Sequence, residues 1–74
     1  MDSLQKKRLK REFGKSLRKI RLEKKLSQRA LAAEADMEHK HIQRIEAGEV
    51  NPTMTTIITL ADALGVDPGE LMRP

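Results

Sequence analysis

The 74 residues contain no cysteine, no tryptophan and no tyrosine, and Phe13 is the single aromatic side chain. Without cysteine there is no disulfide, no thiolate nucleophile and no cysteine-bearing zinc site. With one aromatic, the core has to come from Leu, Ile, Ala, Met and Val. In so short a chain such a core leaves little surplus over conformational entropy, and self-association into a homodimer is expected. The only histidines, His39 and His41, stand two apart and leave a helix on different sides, so they cannot share a metal there. No apolar run nears the roughly 18 residues that a membrane helix needs. The charged N-terminus has no apolar signal-peptide core behind it. A cytoplasmic chain is expected, with no membrane partner, no cofactor and no small-molecule ligand. Nucleophile–base pairs, carboxylate dyads and phosphate-binding glycine loops are missing too, and the chain is too small to wall off a substrate pocket. An enzyme is not expected.

What is present is charge, unevenly spread. The net charge is +4, yet residues 1–29 carry twelve Lys/Arg against three acids, while residues 30–74 carry three against eight. A basic pole suits a polyanion, and the acidic half argues against uniform coating by nucleic acid. Lysines that merely solvate a helix would give the same pole, so charge alone does not decide.

Periodicity predicts an all-α chain of five helices and no sheet. Leu9, Phe13, Leu17 and Ile20 step by four, four and three, marking one face of a first helix from around residue 5 to Lys25, with Ser3 available as a cap. Gly14 interrupts that helix at a cost of up to about 1 kcal/mol relative to Ala, so the part before it is expected to fray. Ser27 caps a second helix, Gln28 to Ala35, with Leu31 and Ala32 inward. Asp36 stands where the chain must turn with a positive backbone angle, which Asp tolerates better than most residues. A third helix runs from near Glu38 to Ala47, with Met37, Ile42 and Ile45 facing the core and Gly48 as its stop. Thr53 caps a fourth helix with the stripe Ile57, Leu60, Ala61 and Leu64, ended by Gly65. Asp67-Pro68-Gly69-Glu70 opens a short fifth helix holding Leu71 and Met72.

The second and third helices, with the turn between them, form a helix-turn-helix, whose second helix can lie in the major groove of DNA. If it does, the early outward residues His39, Lys40, Gln43 and Arg44 are nearest to base edges. Arg or Lys can donate to guanine O6 and N7, and Gln can pair in two-pronged fashion with adenine. Glu38 can accept from cytosine or serve only as the cap. Ser27 and Gln28 open the second helix, whose free N–H groups and partial positive charge suit a phosphate. Asn51, Thr53 and Thr55 are further phosphate candidates, with capping and loop roles competing at Thr53 and Asn51. Met54, Ile58, Val66, Leu71 and Met72 form either a self-complementary dimer interface or simply the closure of a small core.

Leu26-Ser27-Gln28, Leu31-Ala32, Ile42, Ile45-Glu46-Ala47-Gly48, Asn51-Pro52, Leu60-Ala61, Leu64-Gly65-Val66 and Leu71 resemble the pattern of phage-repressor-like (Cro/cI, xenobiotic-response-element) DNA-binding domains. The likeness covers about residues 13–72 and implies a compact five-helix repressor-like domain. On that basis the chain divides into a basic N-terminal extension of the first helix, 1–12, and a helix-turn-helix domain, 13–74. With its short length and basic extension it is most similar to controller proteins of bacterial restriction–modification systems. The resemblance implies base contacts at His39, Lys40 and Arg44, with Gln43 adjacent. It also implies that Gln28 bridges a phosphate and the recognition helix, and that Arg21 and Glu46 form a partly buried ion pair. As to partners, it implies double-stranded DNA bound by a homodimer at an inverted repeat. Control of the chain's own gene and of an endonuclease gene follows, with activation through RNA polymerase and repression from a second dimer. A phage-type repressor or an antitoxin would use the same residues. A protein–protein adaptor on this scaffold would carry an apolar or acidic third helix, unlike this one.

Overall fold

The computed structural model describes residues 2–73, so Met1 and Pro74, the outer bounds of the two segments above, lie outside it. Its helices are α1 (Ser3–Glu23), α2 (Gln28–Ala35), α3 (His39–Glu46), α4 (Met54–Leu64) and α5 (Pro68–Met72), with no strand among the described residues. Four of the five starts are set by a side chain or a proline, while α3 begins after Glu38, whose side chain makes no capping hydrogen bond. Asp2, not Ser3, caps α1: its carboxylate accepts from the Gln5 amide at 2.8 Å, so the helix begins earlier than the apolar pattern indicates. Ser27 and Thr53 cap α2 and α4 by accepting from the Ala30 and Thr56 amides. At α5 the capping box joins Asp67 and Glu70, with Pro68 in the first turn.

The four longer helices end by one device. The amide just past the left-handed residue bends back to a carbonyl five positions upstream, giving Leu26→Arg21, Met37→Ala32, Glu49→Arg44 and Val66→Ala61. The left-handed positions are Lys25, Asp36, Gly48 and Gly65. Asp36 and Gly48 are where the chain pattern places them. Lys25 carries no such signal, and its φ of 61° ends α1 two residues before the expected Lys25. Leu26, Met37 and Val66, the residues that follow, fold back half-buried onto the core.

That core is aliphatic. Leu17, Leu31, Ile42, Ile45, Leu60 and Leu71 are fully buried, and Ala32, Ala35 and Ala61 let the helices approach closely. At about 1.5–3 kcal/mol for each large side chain removed from water, these six are the main source of stability. α1 packs on α3 and α5, α2 on α3 and α4, and α4 on α5. Two expectations are corrected. Leu9 does not complete the inner face of α1 but is 52% exposed, because the core ends at Phe13 and α1 runs on past it. Leu71 is 0% exposed, since α5 folds its single buried side chain between α1 and α4. It closes the core and offers no surface to a partner.

Gly14 is the third correction. Rather than a weak point, it is buried where α1 crosses the end of α3. A Cβ there would lie 2.6 Å from the Ile45 carbonyl oxygen and 2.7 Å from that of Glu46. Only hydrogen fits, so the helix-propensity cost is the condition for close packing. Among the described residues, no helix is long and apolar enough to cross a membrane.

Candidate nucleic-acid interface

α2 and α3 are joined by residues 36–38. Burial of Leu31, Ala32 and Ala35 on α2 against Ile42 and Ile45 on α3 orients the second helix about its axis. At about 100° per residue, Lys40, Gln43, Arg44 and Ala47 then lie opposite the two isoleucines. All four are exposed. His39 is half-buried at one flank of this edge, and His41 is exposed at the other. The sequence pattern singles out His39 and not His41, although helical angle treats them alike. His41 also borders an open groove with Lys40, Arg44 and Val50. Ala47, likewise without a sequence signal for contact, has a methyl group that leaves room for close backbone approach.

Arg44 is partly engaged. Its Nε lies 3.6 Å from Glu49 Oε1, both side chains more than half exposed. The helix-ending wrap brings these two positions together, as it brings Met37 to Ala32 and Val66 to Ala61 at the ends of α2 and α4. An exposed pair of this kind contributes about 0–1 kcal/mol, so the guanidinium is released at little cost.

Behind the exposed edge sits a rigid polar network. Arg21 Nε donates to Glu46 Oε2 at 2.6 Å and an Arg21 terminal nitrogen donates to Glu46 Oε1 at 3.0 Å, a two-pronged contact. The other terminal nitrogen donates to the Leu26 carbonyl at 2.8 Å. Gln28 Nε2 donates to Glu46 Oε1 at 3.1 Å. The Arg21 and Glu46 side chains are 7% and 4% exposed, so the pair sits almost out of water. The network ties the last turn of α1 and the first turn of α2 to the last turn of α3.

The phosphate candidates fall at two places. At the first, Ser27 Oγ accepts from the Ala30 amide and keeps its own hydrogen to donate. Gln28 spends one amide hydrogen on Glu46 and retains the other. The first-turn amides of Gln28 and Arg29 have no intrahelical acceptor. At the second, Asn51, Thr53 and Thr55 are exposed around the start of α4. Thr53 Oγ1 caps α4 and lies 3.0 Å from Thr56 Oγ1, so its structural role is in place. Thr55 faces the α2–α3 turn across a shallow groove shared with Asp36 and His41. Of the residues read as either interface or core closure, Met54, Ile58 and Met72 are 68%, 47% and 59% exposed. Val66 is half-buried and Leu71 lies inside.

Comparison with known proteins agrees with this geometry. The helix-turn-helix family matches residues 17–71. Control protein C.BamHI of Bacillus amyloliquefaciens is 41% identical over 61 residues, covering 81% of this chain and 75% of that protein. The HTH-type transcriptional regulator y4dJ of Sinorhizobium fredii is 36% identical over 61 residues, covering 82% and 79%. The crystal structure of the restriction-modification controller protein C.AhdI from Aeromonas hydrophila superposes with a TM-score of 0.82 at 35% identity, over 84% of this chain and 94% of that one. With nearly three quarters of its length matched and its third helix held polar edge outward, the chain belongs to the helix-turn-helix family of DNA-binding transcriptional regulators, close to restriction–modification controller proteins.

Proposed function

We propose that the protein is a homodimeric controller of restriction–modification genes that binds an inverted-repeat operator in the cytoplasm. Each protomer lays α3 in a major groove, and two-fold symmetry sets the half-sites about 10–10.5 base pairs apart. His39, Lys40, Gln43 and Arg44 read base edges. Ser27, Gln28, Asn51, Thr53 and Thr55 hold phosphates, which position the protein without carrying sequence information. Residues 13–74 act as the DNA-binding domain and residues 1–12 as its basic extension. Met54, Ile58, Val66 and Met72 serve the dimer interface. Activation runs through RNA polymerase beside one bound dimer, and repression through a second dimer on an adjacent site.

The observation that carries this reading is the exposed edge of α3 with Lys40, Gln43 and Arg44, held from behind by the Arg21–Glu46–Gln28 network. The likeness to C.BamHI and C.AhdI supports the assignment to restriction–modification control. Selection of bound fragments from random duplex DNA, followed by footprinting, tests it. A symmetric site protected on one face is expected. Arg44→Ala then relaxes preference at one base position, at a cost of about 1–3 kcal/mol. Equal loss on every operator variant would refute base reading by Arg44.

A further inference from the structure

Two arginines of α1 border the interface without belonging to either phosphate set. Arg18 is exposed and lines the same open groove as Ser27, Gln28, Gln43 and Ala47. Arg11, also exposed, lies against the turn that ends α3: a Cβ on Gly48 would meet the Arg11 Cα at 3.1 Å. Lys7 follows one turn toward the N-terminus. Positions 7, 11, 14, 18 and 21 alternate steps of four and three, so they follow one face of the helix. Two of the five are accounted for. Arg21 holds Glu46, and Gly14 meets the carbonyls of α3. The remaining three are cations, and among the described residues none of the three is in an ion pair; the pairs there are Arg21–Glu46 and Arg44–Glu49.

The location matters because the carbonyl end of α3 carries partial negative charge, which repels a phosphate. Cations beside that end reverse the local sign. They also bridge the gap between the α2 N-terminus, beside Arg18, and the α3–α4 loop, beside Arg11. We propose that Lys7, Arg11 and Arg18 form a phosphate-binding ridge that wraps the end of α3 and joins the two contact sets into one arc on the DNA backbone. The ridge rests on the major-groove reading of α3 and adds contacts that carry no base information.

The test is the salt dependence of binding between 50 and 200 mM KCl. It is measured on a selected operator duplex and on an unrelated duplex of equal length. Wild type is compared with Arg11→Gln, Arg18→Gln and, as a charge control, Lys19→Gln. Lys19 lies beside Glu23 and Glu70, away from α3. Removing the grip on one phosphate makes the plot of log K against log salt shallower by about 0.9, or twice that for a dimer on one duplex. Both arginine variants are expected to show this on both duplexes, with base preference and melting temperature unchanged. Lys19→Gln is expected to keep the wild-type slope. An unchanged slope for both arginine variants overturns the ridge, as does an equal effect from Lys19→Gln. Failure of the α3 reading shows separately, as a wild type that prefers no operator, and the slope comparison then runs on the unrelated duplex. A wild type that binds neither duplex overturns both.

Discussion

Replacing Glu46 by Gln keeps the shape of the side chain and removes its charge. In the folded protein this carboxylate accepts three hydrogen bonds, two from Arg21 and one from Gln28. An amide offers one acceptor oxygen in place of two, and its NH2 group must face a donor. Arg21 is 6% exposed and keeps its bond to the Leu26 carbonyl and at most one to the new amide oxygen, so its charge is left almost out of water without a counterion. Breaking one side of a buried pair costs about 3–5 kcal/mol. A domain of this length is stable by roughly 4–11 kcal/mol, so a large fraction is lost. At about 4–8 °C per kcal/mol, the melting temperature falls by about 12 °C or more. Thermal unfolding followed by circular dichroism, at fixed protein concentration because any self-association would add stability, reads this directly. The double variant Arg21→Met/Glu46→Leu, which leaves no unpaired charge, is expected to recover much of the loss. If Glu46→Gln melts within about 3 °C of wild type, less than about 1 kcal/mol on the same scale, the pair does not hold α3.

Three further outcomes are expected. Gly14→Ala, which helix propensity alone would favour by about 1 kcal/mol, destabilises by about 1–3 kcal/mol because its Cβ has no space against the α3 carbonyls; a raised melting temperature would contradict the close crossing. Lys25→Gly, at a left-handed position, holds or raises stability, by up to about 1 kcal/mol in urea titration. Ile58→Ser with Met72→Ser leaves the monomer fold intact by circular dichroism but shifts sedimentation toward monomer, whereas Leu71→Ala costs about 2–5 kcal/mol of folding stability.

Much of this architecture is legible before any coordinates. Caps at Ser27, Thr53 and Asp67, and stops at Gly48 and Gly65, are local signals, since each satisfies backbone groups of its own helix. The inward stripes of α2, α3 and α4 follow from the 3.6-residue period. What is not legible depends on distant neighbours. Gly14 looks like a flaw until α3 is laid across it, and Leu9 looks inward until the core is seen to end at Phe13. Leu71 and Met72 are alike as apolar residues near the terminus, and only the docking of α5 separates the buried one from the exposed one. Lys25 adopts a glycine-like angle because Leu26 must return to the core. Within the candidate interface, His39 stands out through resemblance, and geometry gives His41 an equal position.

At the Gly14 crossing, main chain rests on main chain with nothing deformable in between. The end of α3 therefore cannot swivel to accommodate a new side chain on its outer edge. Exchanging Lys40, Gln43 or Arg44 changes the chemistry displayed and leaves the angle of display untouched. On the proposed base-reading role of that edge, new base preferences are reachable by single replacements there, without repacking anything beneath it.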